Sequence, residues 1–109
     1  MTHTELDATP APLADLVAYQ DDAIVSRTLL GKKAGTVTLF AFGAGQGLSE
    51  HSTPYDALLL VVEGAMEVTI SGTPHSLEAG DLLRLPADEP HAVHTAEPSK
   101  MLLVMVREA

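Results

Sequence analysis

The 109-residue chain contains no cysteine and no tryptophan, and only 4% of its residues are aromatic. The absence of cysteine excludes disulfides, zinc-finger sites and thiol nucleophiles. Basic residues are also scarce, because six lysines and arginines stand against 15 acidic residues, which gives a net charge of −9 at pH 7. A surface of this charge repels phosphate backbones and anionic lipid. We therefore expect neither a nucleic-acid partner nor a membrane partner.

Long hydrophobic runs are missing as well. The longest ones, Ala57 to Val62 and Met101 to Val106, are far too short to cross a bilayer. Near the start of the chain, acidic residues stand where a secretory signal needs positive charge. A chain of this length supports one hydrophobic core. We expect a cytoplasmic protein with a partly mobile N-terminal arm, residues 1–20, and a single domain, residues 21–109.

After Asp22 the sequence consists of short runs of Val, Ile, Leu and Thr, interrupted by glycine or proline about every 8 to 12 residues. This spacing is typical of a β-sandwich or barrel, and the lack of helix-period stretches argues against parallel βαβ units. The sequence therefore predicts an all-β, antiparallel fold. For residues 13–19, a turn or two of helix and a docking strand both fit the pattern. The predicted strands are Ala23 to Leu30, Thr36 to Phe42, Ala57 to Val62, Ala65 to Ile70, His75 to Leu77, Leu82 to Leu85, His91 to Thr95 and Met101 to Arg107.

Two glycine-containing segments predict tight turns, Ser71 to Pro74 and Glu78 to Asp81. We interpret both as corners of one meander. The strands Ala57 to Val62 and Met101 to Val106 are apolar on both faces, whereas a strand in a small sandwich needs only one apolar face. A second copy of the chain is the simplest cover for the other face, so we expect a homodimer.

Two segments carry glycine, histidine and proline at fixed spacings: Gly45 to Gly64, and Gly80 to Thr95. They resemble the two sequence motifs of the cupin superfamily, and the resemblance covers residues 36–106. It implies a double-stranded β-helix, that is, a jelly-roll barrel of the RmlC-like cupin type. The residues that match are Gly45, His51 and Gly64 in the first motif and Gly80, Pro86 and His91 in the second.

Cupins that bind a divalent metal use two histidines and a glutamate of the first motif and a histidine of the second. In this chain the resemblance assigns His51 and His91 to two of these positions, whereas Thr53 and Ala57 occupy the other two. It thus implies a depleted site for a metal such as Fe, Mn, Ni or Zn. Asp56 replaces the missing glutamate only if a bulge at Pro54–Tyr55 shifts the strand phase. The glycine and asparagine positions of the second motif are Asp88 and Thr95.

We expect a barrel pocket lined by His51, Thr53, Tyr55, Ala57 and His91 that binds a small molecule. If the protein is an enzyme, the resemblance implies a cupin-type isomerase or a metal-dependent dioxygenase, and the sequence assigns no catalytic residue. The alternatives are a sensing or binding module without catalysis and a structural dimer without metal. Motifs for serine hydrolases, phosphate loops and dinucleotide binding are absent from the sequence.

Three histidines are expected outside the pocket. His94 follows His91 by three positions, so strand alternation turns it outward while Val93 and Thr95 face inward with His91. His75 belongs at a barrel rim or on the surface. His3 lies in the arm.

Overall fold

The computed structural model describes residues 5–107. This part of the chain forms a short 3-10 helix, Leu13–Leu16, and nine strands. None of its helices is long and apolar enough to cross a membrane. The strands are β1 (Ile24–Lys32), β2 (Gly35–Phe42), β3 (Gly47–His51), β4 (Asp56–Glu63), β5 (Ala65–Ile70), β6 (Thr73–Glu78), β7 (Leu82–Leu85), β8 (His91–His94) and β9 (Ser99–Val106).

The strands form two antiparallel sheets, one in the order β1-β2-β9-β4-β7 and the other in the order β3-β8-β5-β6. The predicted all-β, antiparallel fold is therefore confirmed. All eight predicted strands are present, with ends that differ by a few residues. Residues 13–19, for which the sequence left two alternatives, contain the 3-10 helix at Leu13–Leu16.

Two details of the prediction are wrong. Strand β3 was not predicted, because Leu48 is its only apolar residue and the strand shows no alternation. The segment Ser71 to Pro74 joins a true hairpin, since β5 pairs with β6. The segment Glu78 to Asp81, in contrast, carries the chain from one sheet to the other, because β6 and β7 belong to different sheets. The two turns therefore do not belong to one meander.

The main core lies between the two sheets. It forms because alternate residues of each strand face inward, and nine of the described residues are buried there. The chain crosses between sheets at the end where β3 stops at His51 and β8 begins at His91; we call this the open end. The opposite end, around Phe42 and Met101, is the closed end. The buried cluster comprises Phe42, Ala57, Leu59, Val61, Met66, Val68, Leu85, Val93 and Met101.

A second apolar cluster covers the outer face of the five-stranded sheet near β1 and β2. Leu39 and Ala41 of β2 pack there with Val17, which follows the 3-10 helix. Lys100 fixes the helix in place, since its buried ammonium donates to the Ala14 carbonyl at 2.6 Å. The second apolar face is thus covered in part by the chain's own N-terminal segment. Coverage of the rest by a second copy stays a prediction, which size-exclusion chromatography tests.

Candidate functional site

Two histidines from neighbouring strands meet at the open end. His51, the last residue of β3, pairs in register with His91, the first residue of β8, and their Nε2 atoms lie 3.1 Å apart. Leu48 and His51 are three positions apart, so regular strand alternation would place them on opposite faces of the sheet. A register shift between them lets both side chains face the interior. His91 is 8% exposed, whereas His51 is open to solvent.

The surroundings of the two rings fix where their protons lie. Nδ1 of His51 is 2.8 Å from the Ser49 carbonyl, and Nδ1 of His91 is 3.3 Å from the Glu89 carbonyl. A carbonyl only accepts, so each Nδ1 carries a proton and a neutral ring has a bare Nε2. Two bare Nε2 atoms at this distance repel each other. One shared proton resolves the conflict, because Nε2–H of one ring then donates to Nε2 of the other.

His91 is the ring that stays neutral in this arrangement. Burial lowers the pKa of His91 below its ordinary value of 6.5, and a positive charge on His51 lowers it further. The hydrogen bond to the Glu89 carbonyl acts in the opposite direction and is the smallest of the three effects. Burial therefore disfavours a charge on His91 when the pair holds the shared proton. The rings meet edge to face, with centroids 4.3 Å apart.

The other three predicted pocket residues, Thr53, Tyr55 and Ala57, lie near the same end, and each has different contacts. Thr53 is half-buried; its hydroxyl donates to the Tyr55 carbonyl at 3.2 Å. The Thr53 carbonyl accepts from Asp88 N–H at 2.7 Å. Ala57 is 7% exposed and belongs to the core cluster. The Tyr55 ring lies under the guanidinium of Arg107, at 5.4 Å.

The metal centre that the resemblance implied does not fit these residues. Among residues 5–107 no group of three His, Cys, Asp or Glu side chains is placed to hold a metal ion. Asp56, the conditional replacement for the missing glutamate, is wrong as a ligand because Oδ1 accepts from Arg84 at 3.1 Å and from Ala87 N–H at 3.0 Å. These two hydrogen bonds lower its pKa. What remains is two imidazole nitrogens, one fewer donor than a facial triad needs.

The two altered positions of the second motif have structural roles. Asp88, at the glycine position, has a φ of +68°, which aspartate tolerates better than most residues. Thr95, at the asparagine position, is fully buried and donates to the Gln46 carbonyl at 2.8 Å. It thereby fastens the loop before β3 to the end of β8. Among residues 5–107, neither residue forms a hydrogen bond with the histidine pair.

The remaining histidines are apart from the pair. His94 is exposed, while Val93 and Thr95 are buried, so the predicted alternation along β8 is confirmed. His75 is half-buried in β6, an edge strand, and pairs with Val68. His3 lies outside the described residues.

Four functional candidates were missed from the sequence: Thr28, Thr36, Thr38 and Arg107. In β2, Phe40 and Phe42 pack in the interior, so alternation places Thr36 and Thr38 on the same inner face. Thr28 of β1 pairs with Thr38. Within residues 5–107 the three hydroxyls make no hydrogen bond. The alternation of Thr36 and Thr38 with Val37 and Leu39 could have indicated a row of hydroxyl groups on one face of the strand. Threonine is also common in strands because its β-branched side chain packs well there, so the pattern is not specific.

This pair of antiparallel sheets, with a histidine pair at one end, defines a jelly-roll barrel. The family model described as "Cupin domain" matches residues 38–107, and the chain belongs to this family. Among characterised sequences, Protein SchB of Streptomyces halstedii is 33% identical over 70 residues, which cover 63% of this chain and 51% of SchB. The chain thus spans about half the length of that relative.

Solved structures show the same fold over nearly the whole chain. A conserved protein of unknown function from Streptococcus pyogenes superposes with a TM-score of 0.90 at 32% identity, covering 95% of this chain and 91% of that one. A cupin superfamily protein from Desulfitobacterium hafniense gives 0.89 at 27% identity, with 94% of both chains covered. These proteins confirm the jelly-roll fold of a small cupin.

Proposed function

We propose that this cupin domain binds a small molecule at the open end of its barrel and that the histidine pair contacts it. The observation that carries the proposal is the 3.1 Å contact between the Nε2 atoms of His51 and His91, whose Nδ1 atoms both face carbonyls. The shared proton leaves the pair able to donate to or accept from a polar ligand. The exposed edge of His51 gives that ligand access.

The pair acts in this proposal as imidazoles and not as metal ligands, because residues 5–107 place no third donor beside the two rings and Asp56 is held by Arg84. Ala57 and Leu85 pair with each other at the same end of the five-stranded sheet, so the carbon skeleton of a ligand that enters there meets apolar side chains. An apolar wall with a few polar groups is the usual composition of a small-molecule site.

A thermal-shift screen tests the proposal with small organic acids, sugars and aromatics as probes. A ligand at 100 times its dissociation constant adds about 2.7 kcal/mol to the stability. We expect His51→Gln and His91→Gln to remove most of this gain. His94→Gln is the matched control, since His94 is exposed on the same strand as His91. A panel without any stabilising member, or equal stabilisation of all three variants, would contradict the proposal and favour a structural role.

Isomerisation by proton transfer is the second candidate, and the shared proton favours it. When the His51 Nε2–H donates to a ligand carbonyl in place of His91, the Nε2 lone pair of neutral His91 is free to accept the α-proton of that ligand and to return it. A bound carbonyl compound should then exchange its α-hydrogen with deuterium in D₂O, and proton NMR measures the loss of that signal. The exchange should stop in His91→Gln and continue in His94→Gln. If a ligand binds and its α-hydrogen does not exchange, the proposed binding function is retained and isomerisation is excluded.

A further inference from the structure

Arg107 is an uncommitted cation at the open end of an acidic protein. Val106 pairs with Asp56 in the five-stranded sheet, and one position beyond this pair the Arg107 guanidinium lies 5.4 Å from the centre of the Tyr55 ring. Met105, two positions before Arg107, pairs with Ala57 of the core. Alternation along the strand therefore places Arg107 on the inner side of the sheet, at the rim of the barrel.

Within residues 5–107 the ion pairs join Arg84 to Asp56 and Lys100 to Glu63, and Arg107 takes part in neither. Arg107 as a residue is nevertheless half-buried. In a chain with 15 acidic and six basic residues, an arginine that pairs with no carboxylate among residues 5–107 is a candidate to bind an external one. The tyrosine ring beneath it holds the planar group in place without neutralising its charge.

Further basic residues lie at the same end of the sheet. Lys32 ends β1, Lys33 follows it in the turn to β2, and Arg107 N–H donates to the Ala34 carbonyl of that turn at 2.7 Å. Lys32, Lys33 and Arg107 thus lie at the same end of the sheet, with Lys32 at a register position of the outer face. Glu89, the acidic residue next to Pro90, accepts the Ser71 hydroxyl at 3.1 Å.

The hydroxyls of Thr36 and Thr38 continue from this rim into the barrel. Thr36 pairs with Met105, and Thr38 pairs with Thr28 on its other side. Both threonines are half-buried on the inner face. A ligand whose charged group lies at Arg107 therefore meets hydroxyl groups along the same sheet, while the histidine pair stands on the opposite sheet.

We propose that the ligand of this pocket is a small carboxylate, with Arg107 binding the carboxylate group and the Thr36 and Thr38 hydroxyls binding its polar substituents. The inference rests on the proposed function and adds to it the chemical class of the ligand. A single guanidinium presents a planar fork that matches a carboxylate in two parallel hydrogen bonds. A phosphate needs more donors, which proteins supply from glycine-rich loops or helix N-termini. The glycine-rich segment Gly43 to Gly47 lies at the closed end beside Thr95, and the 3-10 helix lies on the outer face of the five-stranded sheet, so neither adjoins Arg107.

The experiment is an NMR titration with matched probes at constant ionic strength: propanoate and propanamide, glycolate and glycolamide, benzoate and benzamide. The ring signals of His51 and His91 and the side-chain Nε of Arg107 report binding. We expect at least one carboxylate to bind tenfold or more tightly than its amide. Arg107→Gln should abolish this difference, and Arg107→Lys should retain part of it because the charge remains and the fork is lost.

Lys33→Gln is the control for net charge, since it removes one positive charge from the same rim in an exposed turn. Its effect should stay below threefold and disappear at high salt. Unchanged unfolding midpoints show that each variant is folded. Conversely, Glu50→Gln removes an exposed negative charge beside His51 and should tighten carboxylate binding slightly.

Each other result is decisive. If acids and amides shift the histidine signals with equal affinity, the pocket stands and the carboxylate inference is wrong. The same holds if Arg107→Gln leaves the affinity unchanged, or if inorganic phosphate binds more tightly than every carboxylate. If no probe shifts the histidine signals, the proposed function and the inference both fail.

Discussion

The two ends of the barrel differ in how their polar groups are used. At the closed end, Thr95 and Ser99 are fully buried and each hydroxyl donates to a backbone carbonyl, while Phe42 and Met101 fill the space between the sheets. At the open end, threonine hydroxyls, a guanidinium and a histidine pair are half-buried or exposed, and several meet no partner in the described chain. We therefore expect the closed end to contribute most to stability and the open end to contain the proposed binding site.

The largest test of this comparison uses two methionines of β9. Met101 is 1% exposed at the closed end, whereas Met105 is half-buried at the open end. Met101→Ala should lower the free energy of unfolding by about 2 to 5 kcal/mol, because it leaves a cavity in packed surroundings. Met105→Ala should cost less than half as much. Urea unfolding measures both, and equal losses would show that the two ends are packed alike.

A second matched pair replaces threonine by valine. Thr95→Val removes the hydrogen bond to the Gln46 carbonyl and should cost about 0.5 to 1.5 kcal/mol. Thr38→Val removes a hydroxyl without a partner in the described chain, so its stability should change by less than about 0.5 kcal/mol. Its carboxylate affinity should fall instead. The comparison fails if Thr38→Val is the more destabilised variant in urea.

We expect the titration of His91, at the open end, to contribute to the pH dependence of the protein's stability. Its pKa is lowered in the folded protein, so the unfolded chain binds the proton more readily. The stability that this group contributes is therefore complete above its ordinary pKa of 6.5 and is lost as the pH falls through the folded value. Thermal unfolding between pH 7.5 and 5 should show the loss in the wild type and in His94→Gln. A wild-type slope in His91→Gln would refute the assignment.

The smallest expected effect is a gain. Asp88 adopts a φ of +68° in the turn that leads to His91, where glycine has no steric cost. Asp88→Gly should therefore stabilise the fold by less than about 1 kcal/mol, provided that the hydrogen bond from its N–H to Thr53 remains. A raised unfolding midpoint with unchanged ligand affinity is the expected result. A loss would mean that the aspartate side chain supports the turn.

Much of the fold could be predicted from the sequence, because apolar alternation and turn residues report directly on strands. The segment Met66 to Ile70 shows this, since its alternation with Glu67 and Thr69 matches the observed strand β5. Strand β3 could not be predicted from apolar alternation. It is stabilised by pairing with β8, and its own side chains are mostly exposed. The exchange of sheets after Glu78 was equally hidden, since a turn sequence does not state which strand follows beside it.

The candidate site was predicted only in part. His51 and His91 stand at spaced motif positions, and the structure brings them into contact. Arg107 could not be recognised from the sequence. Its candidacy depends on the absence of an ion pair within the described residues, and ion pairing between strands depends on their register. The engagement of Asp56 by Arg84 likewise joins residues 28 positions apart, which no local pattern records.

The position of β9 has a consequence for synthesis of the protein. This last strand lies in the middle of the five-stranded sheet, between β2 and β4, and Gly35 pairs with Val106. The five-stranded sheet therefore cannot form completely until β9 has left the ribosome. Until then, the edges of β2 and β4 that pair with β9 remain unpaired. Such non-local pairing makes folding slow and exposes apolar strands in the meantime. Premature termination before β9 should yield a chain that aggregates instead of a smaller barrel.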